Sequence, residues 1–121
     1  MKKRILVIDD DPDILEILAI IFEDEGFDVV LSETGDEADR IPDINPDVVI
    51  LDLKLRGSGK NGADICYKIK SRPETFSVPV LLFSSEDNIA EISKQCNADG
   101  YIKKPFDVEH LVIKIKEILA A

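Results

Sequence analysis

The stretch Arg4-Ile-Leu-Val-Ile-Asp-Asp-Asp-Pro12 decides how the rest of this chain is read. Arg4 to Ile8 reads as a buried strand, its apolar run from Ile5 to Ile8 being too short for a helix. Asp11-Pro12 then opens a helix: the aspartate is a candidate N-cap, and proline suits the first helical position, where an N–H has no partner to lose. Ile14, Leu15, Leu18, Ile21 and Phe22 follow at helical spacing, and Gly26 closes the segment. The stretch is thus a β-α unit with two adjacent carboxylates, Asp9 and Asp10, at the carboxyl end of its strand.

The same grammar repeats outward. A second strand is expected from Asp28 to Leu31, followed by a short polar helix from Gly35 to about Asp43. Pro46 introduces a third strand, Asp47 to Leu51, which Asp52 terminates. The glycine-rich stretch from Lys54 to Gly62 reads as a loop, and Ala63 to Ser71 as a helix ended by Pro73. A fourth strand from Val78 to Phe83 ends at Ser84, with a helix from about Asp87 to Gln95 after it. A fifth strand, Gly100 to Lys103, runs into Lys104-Pro105. The last helix starts at Asp107 and carries Leu111, Val112, Ile115, Ile118 and Leu119 at helical spacing. Strands alternating with helices through short connections imply right-handed crossovers. The expected fold is α/β: a doubly wound five-stranded parallel sheet with five helices, in the flavodoxin-like strand order 2-1-3-4-5.

With 121 residues, the chain fits one domain spanning 1–121. A formal charge of −10, with its Lys and Arg scattered instead of striped, repels phosphate backbones and argues against direct nucleic-acid binding. Met-Lys-Lys-Arg imitates the start of a signal peptide, but the apolar run after it is too short. No segment reaches the length of a membrane span, so no membrane role and a cytoplasmic location are expected. Cys66 and Cys96 lack zinc or redox spacing and read as reduced, partly buried thiols. His110 has no companion ligand and reads as a solvated helix residue.

In open α/β sheets, ligands bind outside the carboxyl ends of the strands. That edge would collect Asp9, Asp10, Asp52, Ser84 and Lys104. Three carboxylates, a hydroxyl and an ammonium are the groups required to transfer a phosphoryl group onto a carboxylate, because two anions react only where cations are already in place.

These residues, in this order, resemble the response-regulator receiver domains of two-component signalling. The likeness rests on Asp9-Asp10, the strand-end Asp52, Ser84 with the small Ser85 after it, and Tyr101 ahead of Lys104-Pro105-Phe106. It implies that Asp52 accepts the phosphoryl group from a histidine kinase or histidine phosphotransfer protein. It further implies Mg²⁺ held by Asp9, Asp10, Asp52 and the backbone carbonyl of Lys54, with Lys104 neutralising the phosphoryl oxygens. Ser84 would donate a hydrogen bond to them, Tyr101 would swing inward as a switch, and the Lys104-Pro105 bond would be cis. The chain would be a switch and not a turnover enzyme, acting on an unknown downstream protein through its fourth helix, fifth strand and fifth helix, with homodimerisation on activation open. Read singly, Ser84 is a helix cap, Lys104 a surface cation and Tyr101 an amphipathic edge residue.

The chain departs from the receiver pattern after Asp52. There Leu-Lys-Leu-Arg-Gly-Ser-Gly-Lys-Asn replaces the usual Met-Pro step, and the loop is two residues longer and basic through Lys54, Arg56 and Lys60. Other classes fit less well. A haloacid-dehalogenase-type phosphatase would use Asp9 with Asp11, but Pro12-Asp13 does not continue its motif. An FMN carrier would need a Ser/Thr/Gly-rich phosphate loop where this chain is acidic. A receiver-like scaffold with a dead site is disfavoured by retention of every reacting group.

Overall fold

The computed structural model describes residues 2–55 and 60–120. Five parallel strands make one sheet: β1 (Arg4–Ile8), β2 (Asp28–Ser32), β3 (Val48–Asp52), β4 (Val80–Ser84) and β5 (Gly100–Lys103). Their spatial order is β2-β1-β3-β4-β5, the expected doubly wound order. Five α-helices accompany them: α1 (Pro12–Asp24), α2 (Ile41–Ile44), α3 (Gly62–Ser71), α4 (Ile89–Gln95) and α5 (Val108–Ala120).

Two apolar layers follow from strand alternation. Ile5 and Val7 of β1 join Leu15, Leu18 and Phe22 of α1 and Leu111 and Ile115 of α5 on one face of the sheet. Leu6 and Ile8 join Ile41, Ile65, Cys66, Ile69 and Ile89 on the other. Because both faces are covered, every residue of β3 and β4 is buried. Strands of this kind read as continuous apolar runs.

Helix ends behave as their capping chemistry dictates. The Asp11 side chain accepts from the Asp13 N–H at 2.9 Å, and Gly26 takes φ +90° beyond the end of α1. Asn61 caps α3 by accepting from the Ala63 N–H at 2.8 Å, while Asp107 accepts from the N–H groups of Glu109 and His110.

Several boundaries differ from those read in the sequence. The expected helix over residues 35–43 is split into a 3₁₀ turn, Asp36–Arg40, and the single turn of α2. Pro42 has no N–H to donate to the Ala38 carbonyl, so the two cannot fuse into one α-ladder. The stretch read as a loop after Asp52 contains an antiparallel ribbon in which Lys54 pairs with Asn61 and Leu55 with Lys60. Leu55, 2% exposed, anchors this ribbon in the core. Arg56 lies outside the described residues. Strand β4 starts at Val80 because Pro79 lacks a donor and the Val78 N–H is turned back to Thr75 O at 2.9 Å. Helix α4 starts at Ile89, after a turn in which the Ile89 N–H donates to Glu86 O at 3.3 Å and Asp87 Oδ1 lies 2.7 Å from Lys103 Nζ. Cys66 and Cys96 are free thiols, fully and not partly buried, and burial pushes the Cys66 thiol far above its usual range.

Candidate functional site

Four strand ends meet at the carboxyl edge of the sheet. Asp9 follows β1, Asp52 ends β3, Ser84 ends β4 and Lys104 follows β5; all four, with Asp10 and Lys54, line one cleft. Parallel register carries them there: Ile8 pairs with Leu51, Asp52 with Phe83, and Ser84 with Lys103. The Lys104 N–H donates to Ser84 O at 2.9 Å, continuing the ladder one step past β5.

The carboxylates are placed as a cation cage. One oxygen from each of Asp9, Asp10 and Asp52 lies within 4.8 Å of the others. Asp9 and Asp52 are 2% and 6% exposed, while Asp10 is half-buried at the mouth. Hard oxygen donors in such an arrangement suit Mg²⁺, which takes few protein carboxylates and keeps several waters. The donor set therefore fits the ion expected from the sequence. Asp11, the other carboxylate of the phosphatase reading, is engaged as the cap of α1.

Lys104 supplies the counter-charge. Its Nζ is 3.0 Å from Asp9 Oδ2, 3.8 Å from Asp52 Oδ2, and 4.9 Å from the centroid of the Phe83 ring. The ring sits beneath it, buried against Phe106 at 5.1 Å between centroids. The Lys104-Pro105 bond is cis. A cation held over an aromatic face and between two carboxylates is fixed in direction as well as in place.

Asp52 titrates unusually. Burial, followed by the charge of Asp9, pushes its carboxyl up to about 6, against the opposing pull of Lys104 and of the Lys54 N–H, which donates to Oδ1 at 3.5 Å. Desolvation outweighs the ammonium because the nearest oxygen of that ion pair is 3.8 Å away.

Ser84 lines the same cleft, whereas Tyr101 does not. Ser84, 2% exposed, accepts the Glu86 N–H on its Oγ at 3.1 Å, so its hydroxyl proton is free to be aimed at a further acceptor. Tyr101 is 42% exposed on β5 and lies outside the cleft lining. Two contributors, Phe83 and Glu86, are not legible in the sequence. Phe83 floors the cation, a role visible only once strand and ring are folded together. Glu86 reaches to Lys54, with Oε1 and Nζ 2.5 Å apart. Gly62, the glycine that closes the loop after Asp52 in the receiver pattern, packs against the Asp52 backbone.

Comparison with known proteins agrees with this arrangement. The family model of the response regulator receiver domain matches residues 5–116. The DNA-binding response regulator MtrA of Mycolicibacterium smegmatis is 34% identical over 119 residues, which cover 96% of this chain and 50% of that protein. The chain thus spans about half the length of the curated relatives it matches. Among solved structures, a putative response regulator from Chloroflexus aurantiacus superposes with a TM-score of 0.91 at 29% identity over the full length of both chains. The receiver domain of NtrX from Brucella abortus does so with a TM-score of 0.85 at 32% identity, over 97% of this chain and 98% of its own. On sequence and on fold alike, this chain belongs to the response regulator receiver domain family, the phospho-accepting signalling modules of two-component systems.

Proposed function

We propose that Asp52 accepts a phosphoryl group from the phosphohistidine of a histidine kinase or histidine phosphotransfer protein, and that its modification switches a protein-binding surface. The reading takes residues 1–121 as one receiver domain, placed in the cytoplasm; none of the described helices is long and apolar enough to cross a membrane. The observation that carries it is the pairing of a buried carboxylate with Lys104 Nζ at 3.8 Å inside a three-carboxylate cage.

In the transfer, an Asp52 oxygen forms a bond to phosphorus as the P–N bond of the donor breaks. The imidazole leaves with the electron pair, and the product is an acyl phosphate. Mg²⁺, held by Asp9, Asp10, Asp52 and the Lys54 carbonyl, would supply positive charge for the three equatorial oxygens. The Lys104 ammonium would neutralise the same oxygens, and its contact with Asp9 keeps it in place before the donor arrives. Ser84 then turns its hydroxyl toward the phosphoryl group, and Tyr101 follows into the space vacated. The chain assists its own phosphorylation and dephosphorylation without turning over a separate substrate.

Acetyl phosphate with Mg²⁺ tests the reading. Intact mass should rise by one phosphoryl group in the native chain and stay unchanged in Asp52→Asn, whose amide is not nucleophilic. Labelling that persists in Asp52→Asn would place the acceptor elsewhere.

A further inference from the structure

Two residues flanking the acceptor are tied together in a way the proposed transfer does not use. Lys54 follows β3 and lines the cleft, and Glu86 follows β4 just beyond Ser84 and Ser85, which line it too. Each makes a backbone contact to a reacting group: the Lys54 N–H donates to Asp52 Oδ1 at 3.5 Å, and the Glu86 N–H donates to Ser84 Oγ at 3.1 Å. Their side chains meet, with Nζ and Oε1 2.5 Å apart. The Lys54 side chain is 62% exposed and that of Glu86 31%, so this pair is held in a largely aqueous setting and is easily exchanged.

A phosphoryl group brings about −1.5 to −2 charges into the cleft. Lys104 is already engaged by Asp9 at 3.0 Å, so it cannot offset that added charge alone. Among the described residues lining that cleft, Lys54 is the cation besides Lys104. A phosphoryl group is a stronger partner for it than one carboxylate, because it is doubly charged and offers three oxygens. The same charge repels Glu86.

We infer that the Lys54 ammonium is a second cationic ligand of the phosphoryl group, held on Glu86 until phosphorylation and then transferred to the new anion. The inference rests on Asp52 as acceptor. Its consequence lies in the segment between β4 and α4. When Ser84 turns toward the phosphoryl group, the Glu86 N–H loses its acceptor, and when Lys54 changes partner, the Glu86 carboxylate loses its cation. The contacts of the Glu86 amide and carboxylate are given up in one event, leaving the Ile89 N–H on Glu86 O at 3.3 Å. That frees the segment leading into α4 and joins the chemistry at Asp52 to the face made by α4, β5 and α5.

The test uses Mg²⁺ and beryllofluoride, a stable phosphoryl mimic, on the whole chain. Fluorine NMR reports occupancy of Asp52, while carbon and nitrogen NMR report the Glu86 carboxylate and the Lys54 ammonium. On saturation, the Glu86 carboxylate signal should move to the position of an unpaired glutamate, and the Lys54 ammonium signal should shift while remaining protected. Glu86→Gln, which removes the competing anion, should bind beryllofluoride about fivefold more tightly, and Lys54→Met about tenfold more weakly. Occupancy of Asp52 with the Glu86 signal unmoved, or unchanged affinity in Glu86→Gln, would overturn the exchange while leaving the acceptor assignment standing. No fluorine signal from the site would overturn the acceptor assignment, and the exchange with it.

Discussion

Gly62 leaves no room for a side chain beside Asp52. A Cβ on Gly62 would stand 2.1 Å from the Asp52 carbonyl oxygen and 2.7 Å from Leu53 Cα, both backbone atoms that cannot rotate aside. The Gly62 N–H also donates to Leu53 O at 2.9 Å, fastening the start of α3 to the end of β3. Gly62→Ala should therefore push Asp52 out of register, costing about 1–3 kcal/mol of stability. Urea denaturation should show this, together with slower labelling by acetyl phosphate. Native-like values for both would mean that α3 can shift without disturbing the acceptor.

The raised titration of Asp52 has a sign that can be checked. Its carboxyl titrates at about 6 in the fold against 3.8 as a free group, so the folded chain binds the proton more tightly than the unfolded one. Stability from this residue is present while both states are protonated and is lost as pH rises from about 3.8 through about 6. Without divalent ions, Asp52→Asn should stabilise the protein by up to about 3 kcal/mol near pH 7.5, with the gain shrinking toward pH 4. Denaturation curves at several pH values would reveal a gain that grows on acidification if this is wrong.

Divalent cations should reverse that penalty. An ion bound only by the folded state adds about 2.7 kcal/mol at ~100 times its dissociation constant. Millimolar Mg²⁺ should raise the melting temperature of the native chain by several degrees, and by much less in Asp10→Asn. The metal-free Asp10→Asn protein should itself melt higher than the native chain, since one like charge has left the cage. A melting curve indifferent to Mg²⁺ would remove the cage from the mechanism.

Ser84→Ala should separate modification from response. The variant keeps Asp52, Lys104 and the carboxylate cage, so acetyl phosphate should still label it. Its alanine has no hydroxyl to draw toward the phosphoryl group, so Tyr101 should stay exposed. Amide exchange over residues 86–110, with and without beryllofluoride, should change in the native chain and remain flat in Ser84→Ala.

Asp99 offers a test of the scaffold alone. Its Oδ2 accepts from the Val80 N–H at 2.8 Å and from Lys70 Nζ at 2.9 Å, joining the starts of β4 and β5 to α3. Asp99→Ala leaves the Val80 donor and a mostly buried ammonium without that partner, and should cost about 1–3 kcal/mol. Circular dichroism melts would measure it, with the site chemistry unchanged.

Most of the fold could be read from the sequence because each sheet strand is an apolar run stopped by a polar residue, and parallel strands bury such runs completely. The first and fifth strands and the cap at Asp11 were visible for that reason. The segments that escaped are governed by contacts distant in sequence. The ribbon after Asp52 depends on Leu55 finding the core, and the break before α2 on one missing N–H. Within the site, charged strand ends announced themselves, whereas Glu86 did not, because a glutamate in a polar loop looks the same whether or not a lysine waits within reach.

Lys104 and Asp9 are 95 positions apart in the chain, yet 3.0 Å apart in the fold. During synthesis the acidic half of the site is therefore made long before its cation. Until β5 emerges, Asp9 and Asp52 lack the Lys104 ammonium that stands 3.0 and 3.8 Å from them in the fold. On the proposed reading, phosphoryl acceptance at Asp52 waits for the last strand. A chain truncated or cleaved ahead of Lys104 should fall silent instead of signalling wrongly, a safeguard that follows from strand order alone.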